Sequence, residues 1–231
     1  MSKVRNIIKV VLPKKLVRIV KKRIASTRLQ LYGIEALRII DEVSSSENVS
    51  YWLTCGSLLG AYREHGFIKH DDDIDIGILS HFINKSFIDE LINKGFVLGN
   101  IKETSDNKYR MVSLKFKKVS IDFYGFAFDD SKKTQVTGFW SLPLEGKTYY
   151  ESSLQNKFCV CLIHHKFDEI IRVPFMTINV PILKNTPEIL EGLYGPSFMK
   201  PDKHDRGDNS SICEKPSVDK IFASIISIDE L

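Results

Sequence analysis

Hydrophobic positions along this chain change period several times, and the changes mark out its elements. Ile34, Leu37, Ile40 and Val43 recur at three-residue spacing, which predicts a helix over about Tyr32–Val43 that ends at Ser44-Ser45-Ser46. Tyr51–Thr54 reads as the first core strand. Leu58, Leu59 and Tyr62 open a further helix, with Ser57 at the expected N-cap. Ile74–Leu79 is a second core strand, and Phe82–Lys94 is a helix closed by Gly95. Strands follow at Tyr109–Lys117 and Val119–Phe128. In the latter, Val119, Ile121 and Phe123 share one face, and Ser120, Asp122 and Tyr124 the other. Residues 132–180 read as short β segments, and Pro187–Tyr194 as a helix stopped by Gly195-Pro196. Ser217–Ile226 carries apolar residues at helical spacing and is expected to be a last helix. No repeat and no linker interrupts the pattern, so residues 31–231 read as one domain mixing helices and strands, of α/β (α+β) class.

The N-terminal segment differs in kind. Residues 1–28 hold ten basic residues and no acidic one, so the chain's net charge of +4 conceals an acidic remainder. Leu16, Val17, Ile19, Val20 and Ile24 alternate with Lys14, Lys15, Arg18, Lys21, Lys22 and Arg23 behind Pro13. Residues 1–30 therefore read as a basic amphipathic helix, suited either to an anionic membrane surface or to packing on the domain with its lysines in water. A nucleic-acid role is not expected, because no aromatic residue precedes Tyr32. No apolar run reaches the about 18 residues of a membrane-spanning helix. Cys55, Cys159, Cys161 and Cys213 are too few and too scattered for a disulfide framework. A cytoplasmic protein, peripheral at the inner face of the cell membrane, is the resulting expectation.

The chemistry concentrates in Cys55–Ile78. Asp73 and Asp75 stand one residue apart on a β-branched run, so a strand points both carboxylates to one face. Two carboxylates on one face repel unless a cation lies between them, and Mg²⁺ or Mn²⁺ takes such oxygen ligands. Asp122, on a strand expected to lie beside them, is the third member; Asp71 is a further candidate ligand. Gly56-Ser57 offers free N–H groups at a helix start, a phosphate-binding arrangement. Arg63, Lys69, Arg110 and Lys203 are candidate phosphate-binding cations, with His70, Lys200 and Arg206 also available.

Two other metal readings fail. Asp71, Asp73 and Asp75 follow an EF-hand spacing, but Gly77 and Phe82 occupy positions that require other residues. Cys159, Cys161, His164 and His165 lack the spacing of a structural zinc site, and their apolar run suits core cysteines.

The segment Gly56-Ser57-Leu58-Leu59-Gly60-Ala61-Tyr62-Arg63, followed by Gly66-Phe67-Ile68 and Asp71–Ile76, resembles the signature of the LicD family, which includes bacterial phosphocholine transferases and fukutin-related proteins. Ile121-Asp122-Phe123 and Leu193-Tyr194-Gly195-Pro196-Ser197-Phe198-Met199 are similar to later elements of the same family. The resemblance extends over about residues 30–206; His70 stands where relatives commonly carry Trp. It implies a nucleotidyltransferase-like mixed β-sheet flanked by helices, with Asp73, Asp75 and Asp122 catalytic and Tyr194 near the substrate. It also implies transfer of a phospho-alcohol from a CDP-activated donor to a glycan or lipid-linked glycan acceptor, with release of CMP. The candidate groups are phosphocholine, phosphoethanolamine, glycerol phosphate and ribitol phosphate. Nucleotide transfer to a small molecule or protein, and a non-catalytic binding subunit at the membrane, remain as alternatives.

Overall fold

The computed structural model describes residues 13–129, 131, 134–201 and 211–231. Helix α1, Lys14–Ser46, is 33 residues long, with Pro13 at its N-cap. The basic stretch and the helix expected at Tyr32–Val43 are therefore one continuous element from Lys14 onward; the first twelve residues of the expected amphipathic segment lie outside the described ones. The two halves of α1 differ in surroundings. Leu29, Ala36, Leu37, Ile40 and Val43 are buried, whereas Leu16, Ile19, Val20, Ile24 and Leu31 face solvent. No helix among the described residues is long and apolar enough to cross a membrane.

Strand β1 (Tyr51–Leu53) leads into helix α2 (Cys55–Arg63), strand β2 (Asp73–Leu79) and helix α3 (Lys85–Asn93). Three strands follow: β3 (Val97–Thr104), β4 (Arg110–Phe116) and β5 (Val119–Phe128). Then come β6 (Gln135–Leu142), the short helix α4 (Tyr149–Leu154), β7 (Cys159–Lys166), β8 (Ile170–Phe175), β9 (Ile178–Leu183) and helix α5 (Thr186–Tyr194). Short strands β10 (Cys213–Glu214) and β11 (Ala223–Ile226) end the chain.

These strands form a mixed sheet. Its main path runs β10-β7-β6-β5-β4-β3-β11, with β2 parallel to β5 and β1 antiparallel to β2; β8 and β9 make a separate ribbon. β5 joins β4 along its first half and β6 only through Ala127 and Phe128, so the sheet turns at that strand. The curl nearly closes at the far side: Phe158, just before β7, exchanges two backbone hydrogen bonds (2.8 and 3.0 Å) with Ala223 of β11. One face of β2, β5 and β4 is apolar through Ile74, Ile76, Ile121, Phe123, Val112 and Leu114, all buried beneath α1 and α3. Phe87 of α3 meets Phe123 edge-on, with ring centroids 5.7 Å apart. The same alternation leaves the opposite face for polar residues.

Three sequence expectations change. The segment Ser217–Ile226 is not a helix: Ala223–Ile226 pairs with Ile101–Thr104 on β3. Its apolar spacing suits a helix, but the unpaired edge of β3 offers backbone partners that a short helix lacks, and tertiary pairing overrides local pattern. Asn84 caps α3 through Phe87 N–H, so that helix starts three residues after Phe82, which belongs to a 3₁₀ turn. Thr54, not Ser57, occupies the N-cap position of α2.

Gly77 is where β1 and β2 approach through a large side chain. A Cβ there would lie 2.4 Å from Trp52, itself buried against Phe126 and Phe167. Gly77→Ala is expected to overpack this contact and destabilise the fold by about 1–3 kcal/mol. Urea denaturation checks this as a lowered midpoint with unchanged slope.

Candidate active site

The polar face of the sheet is assembled by register. Asp75 on β2 lies opposite Asp122 on β5, and Asp122 opposite Ser113 on β4. Asp73 and Tyr124 follow on the same face by two-residue alternation. One carboxylate oxygen from each of Asp73, Asp75 and Asp122 lies within 4.8 Å of the others, and among the described residues this is the one such cluster. The three line a cavity of about 560 Å³ together with Asp71, Asp72 and Gly56. Arg63, Tyr194, Lys22, His70, Lys102, Trp140, Ser141 and Tyr149 also line it.

The turn from β1 into α2 fixes Asp75. Cys55 has φ +46°, a left-handed conformation unusual for a side-chain-bearing residue, and it swings the chain from strand to helix. The Gly56 N–H then donates to Asp75 Oδ2 at 3.1 Å, and the Asp75 N–H donates to Ser57 Oγ at 2.9 Å. Tyr124 Oη donates to Asp75 Oδ1 at 3.2 Å. A Cβ at residue 56 would lie 3.0 Å from Asp71 Oδ2 and 3.4 Å from Asp75 Oδ2, so glycine lets the two carboxylates crowd the helix start. The helix N-terminus thus favours a negative charge, as expected, but that charge is Asp75 itself.

Electrostatics follow from this crowding. Burial, and then the charges of Asp72 and Asp122, push the Asp73 carboxyl up to about 7. Burial and the neighbouring Asp73 and Asp122 hold Asp75 well above the usual carboxylate range. Burial also raises Asp122 despite a 2.5 Å hydrogen bond from Ser113 Oγ and the nearby Lys102 charge. Three mutually repelling carboxylates, Asp75 buried and Asp73 and Asp122 half-buried, are costly without a cation among them. An all-oxygen donor set of this size fits a hard divalent ion.

The other sequence candidates separate. Arg63 borders the cavity, but its Nε bonds Glu64 (2.9 Å) and its Nη1 bonds the Phe198 carbonyl (2.9 Å). Asp71 and Tyr194 line the cavity. Arg110 does not: alternation turns it away from Met111 and Ser113, Glu103 binds its Nε at 2.7 Å, and it borders a separate depression with His81. Lys69 is exposed outside the cavity lining, and its carbonyl accepts from Ser26. Lys203 lies outside the described residues. Cys159 and Cys161 sit on β7 with His164 and His165, and burial pushes His165 down to about 4, consistent with a neutral core histidine. Lys102, Ser113, Ser141 and Tyr149 escaped the sequence reading. Their one signal is alternation, which places Lys102 on the polar face of β3 opposite Met111.

The raised carboxylates predict an inverse pH response without metal. Asp73 is protonated in the folded chain below about 7 but in the unfolded chain only near the ordinary carboxylate range, so its contribution to stability rises as pH falls through 7. His165 acts in the opposite sense below its usual 6.5. In chelator, the chain is therefore expected to melt higher at pH 6.5 than at pH 8, a difference reduced in Asp73→Asn. Saturating Mn²⁺ at pH 8 should raise Tm by roughly 5–10 °C. Calorimetry checks both, and less gain at pH 6 than at pH 8 is expected because protons compete for the same oxygens.

Comparison with known proteins gives the site its lineage. A family model described as LicD/FKTN/FKRP, nucleotidyltransferase domain, matches residues 48–185, which include all three carboxylates. An uncharacterized protein of Rickettsia prowazekii is 40% identical over 60 residues, covering 26% of this chain and 23% of that one. The human ribitol 5-phosphate transferase FKRP is 25% identical over 166 residues, covering 72% of this chain and 32% of that protein. The chain thus spans no more than about a third of either relative's length. With the family match extending over more than half of its residues, the chain belongs to the LicD/FKTN/FKRP nucleotidyltransferase-domain family.

Proposed function

We propose that this chain is a metal-dependent phosphotransferase that moves a phospho-alcohol from a CDP-activated donor to a sugar hydroxyl of a glycan, releasing CMP. The observation that carries the reading is the convergence of Asp73, Asp75 and Asp122 in one cavity of a family domain. The name of the human relative, a ribitol 5-phosphate transferase, supports the phospho-alcohol class.

Asp73, Asp75 and Asp122 would hold Mg²⁺ or Mn²⁺, with Asp71 beside them, and the ion would supply charge neutralisation at the donor's diphosphate. The chain's own groups do the positioning. Gly56 N–H and Tyr124 Oη fix Asp75 from two sides, and Ser57 Oγ anchors its backbone. Ser113 Oγ donates to Oδ1 of Asp122 and fixes that carboxylate at the cavity wall. In the proposed reaction the acceptor oxygen forms a bond to the phosphorus bearing the alcohol, the bond from that phosphorus to the CMP oxygen breaks, and the hydroxyl proton passes to Asp122, the carboxylate that either takes it or completes the ion's shell. Arg63 and Tyr194 border the side of the cavity nearest α5 and serve substrate contact there. Catalysis of this kind rests on positioning and charge neutralisation. The exposed apolar and basic residues of α1 support contact with an anionic membrane surface, where a lipid-linked acceptor is presented.

A panel of CDP-alcohols, read by CMP release with and without Mn²⁺, tests the reading. Asp73→Asn and Asp75→Asn are each expected to lower turnover by at least about a hundredfold, with circular dichroism unchanged. Wild-type CMP release by both variants, or release of pyrophosphate from CTP in place of CMP, would reject it.

A further inference from the structure

Lys102 is a buried cation whose partners do not match its charge. It is 7% exposed and lies on β3, opposite Met111, on the same face as the carboxylates. Its Nζ donates to Ser141 Oγ at 2.6 Å and sits 4.5 Å from the Phe158 ring centroid and 5.8 Å from that of Tyr149. Among the described residues no carboxylate oxygen lies within ion-pair distance of it. An ammonium group has three N–H donors, and one hydroxyl and two ring faces do not satisfy them. A buried charge without a counter-ion is expensive, so the position makes sense when an anion arrives.

The remaining cations of the cavity are worse placed for that anion. The Arg63 guanidinium is engaged by Glu64 and the Phe198 carbonyl, and Lys22 is an exposed side chain 3.9 Å from Asp72. Lys102 borders the cavity on the side of Asp122, and its charge acts on that carboxylate. It is also held rigidly. β11 pairs Ile225 with Lys102, and Asn156, two residues before Phe158, binds Ile225 N–H (2.6 Å) and carbonyl (2.9 Å). The aromatic platform and the lysine strand are thereby fixed to each other.

We infer that Lys102 binds the donor's diphosphate, donating its spare N–H groups to a non-bridging phosphate oxygen. The role rests on the phosphotransferase reading and assigns the substrate-binding cation to a residue on β3, where the sequence signature has no part. It also accounts for a buried lysine beside three carboxylates: the cation those carboxylates would hold and Lys102 would both neutralise the diphosphate.

Titration calorimetry of CDP into the full chain with saturating Mn²⁺ tests the role. Lys102→Met, of similar length without charge, is expected to weaken CDP binding roughly ten- to hundredfold. Mn²⁺ affinity measured without nucleotide is expected to hold or rise, because a positive charge near Asp122 has gone. A merely structural lysine would move both affinities down together, and that result would overturn the role. Lys102→Gln supplies the same comparison if the Met variant does not fold. CDP binding at wild-type strength in either variant also overturns it while leaving the phosphotransferase reading in place. Absence of CDP binding to the unaltered chain with Mn²⁺ would remove both.

Discussion

The parallel pairing of β2 with β5 is the constraint on which the site depends. It sets Asp75 opposite Asp122 and forces three carboxylates into one small volume. Nothing in sheet formation itself favours that outcome; like charges side by side oppose it. The fold tolerates it because the other face of the same strands is apolar. Ile74 and Ile76 on β2, and Ile121 and Phe123 on β5, bury completely under α1 and α3. One strand pair therefore supplies both the driving force for folding and a charge repulsion that a bound cation would relieve.

The surroundings of the carboxylates show how that tension is distributed. Asp75 receives a backbone N–H from the start of α2 and a tyrosine hydroxyl, and Asp122 receives a serine hydroxyl. These bonds fix orientation without neutralising charge, which leaves the full attraction for an incoming ion. The strained backbone at Cys55 belongs to the same arrangement, because it aims the helix start at Asp75. Strain and repulsion are concentrated on one side of the sheet, and packing is concentrated on the other.

Much of this was legible in the sequence, and what was not has physical reasons. Asp73 and Asp75 were readable because strand alternation needs no tertiary information, and Asp122 because a charge inside an apolar β run stands out. Gly56-Ser57 was expected to open the helix, but the N-cap is Thr54 and Ser57 serves another element: a serine that anchors a neighbouring strand looks the same as one that caps a helix. Arg110 was misjudged because its partner, Glu103, lies across a strand pair whose register no local pattern reveals. Lys102 was invisible for a different reason. A lysine in a strand is ordinarily exposed, and this one is covered by Ser141, Tyr149 and Phe158, which are distant in sequence. The Ser217–Ile226 segment shows the same limit, since its helical spacing lost to a vacant strand edge.

That closure has a bearing on how the molecule matures. Both outermost strands of the main sheet path, β10 and β11, come from residues 211–231, long after β3 and β7 have been synthesised. Contacts of such high sequence separation form late in folding. The Phe158–Ala223 bridge and the Asn156 clamp, which set the aromatic wall against β3, both require residues 223–225 and cannot form before these are synthesised. A nascent chain still lacking those residues can already hold its paired carboxylates and yet present an unfinished basin, so acquisition of structure and acquisition of chemistry are separated in time.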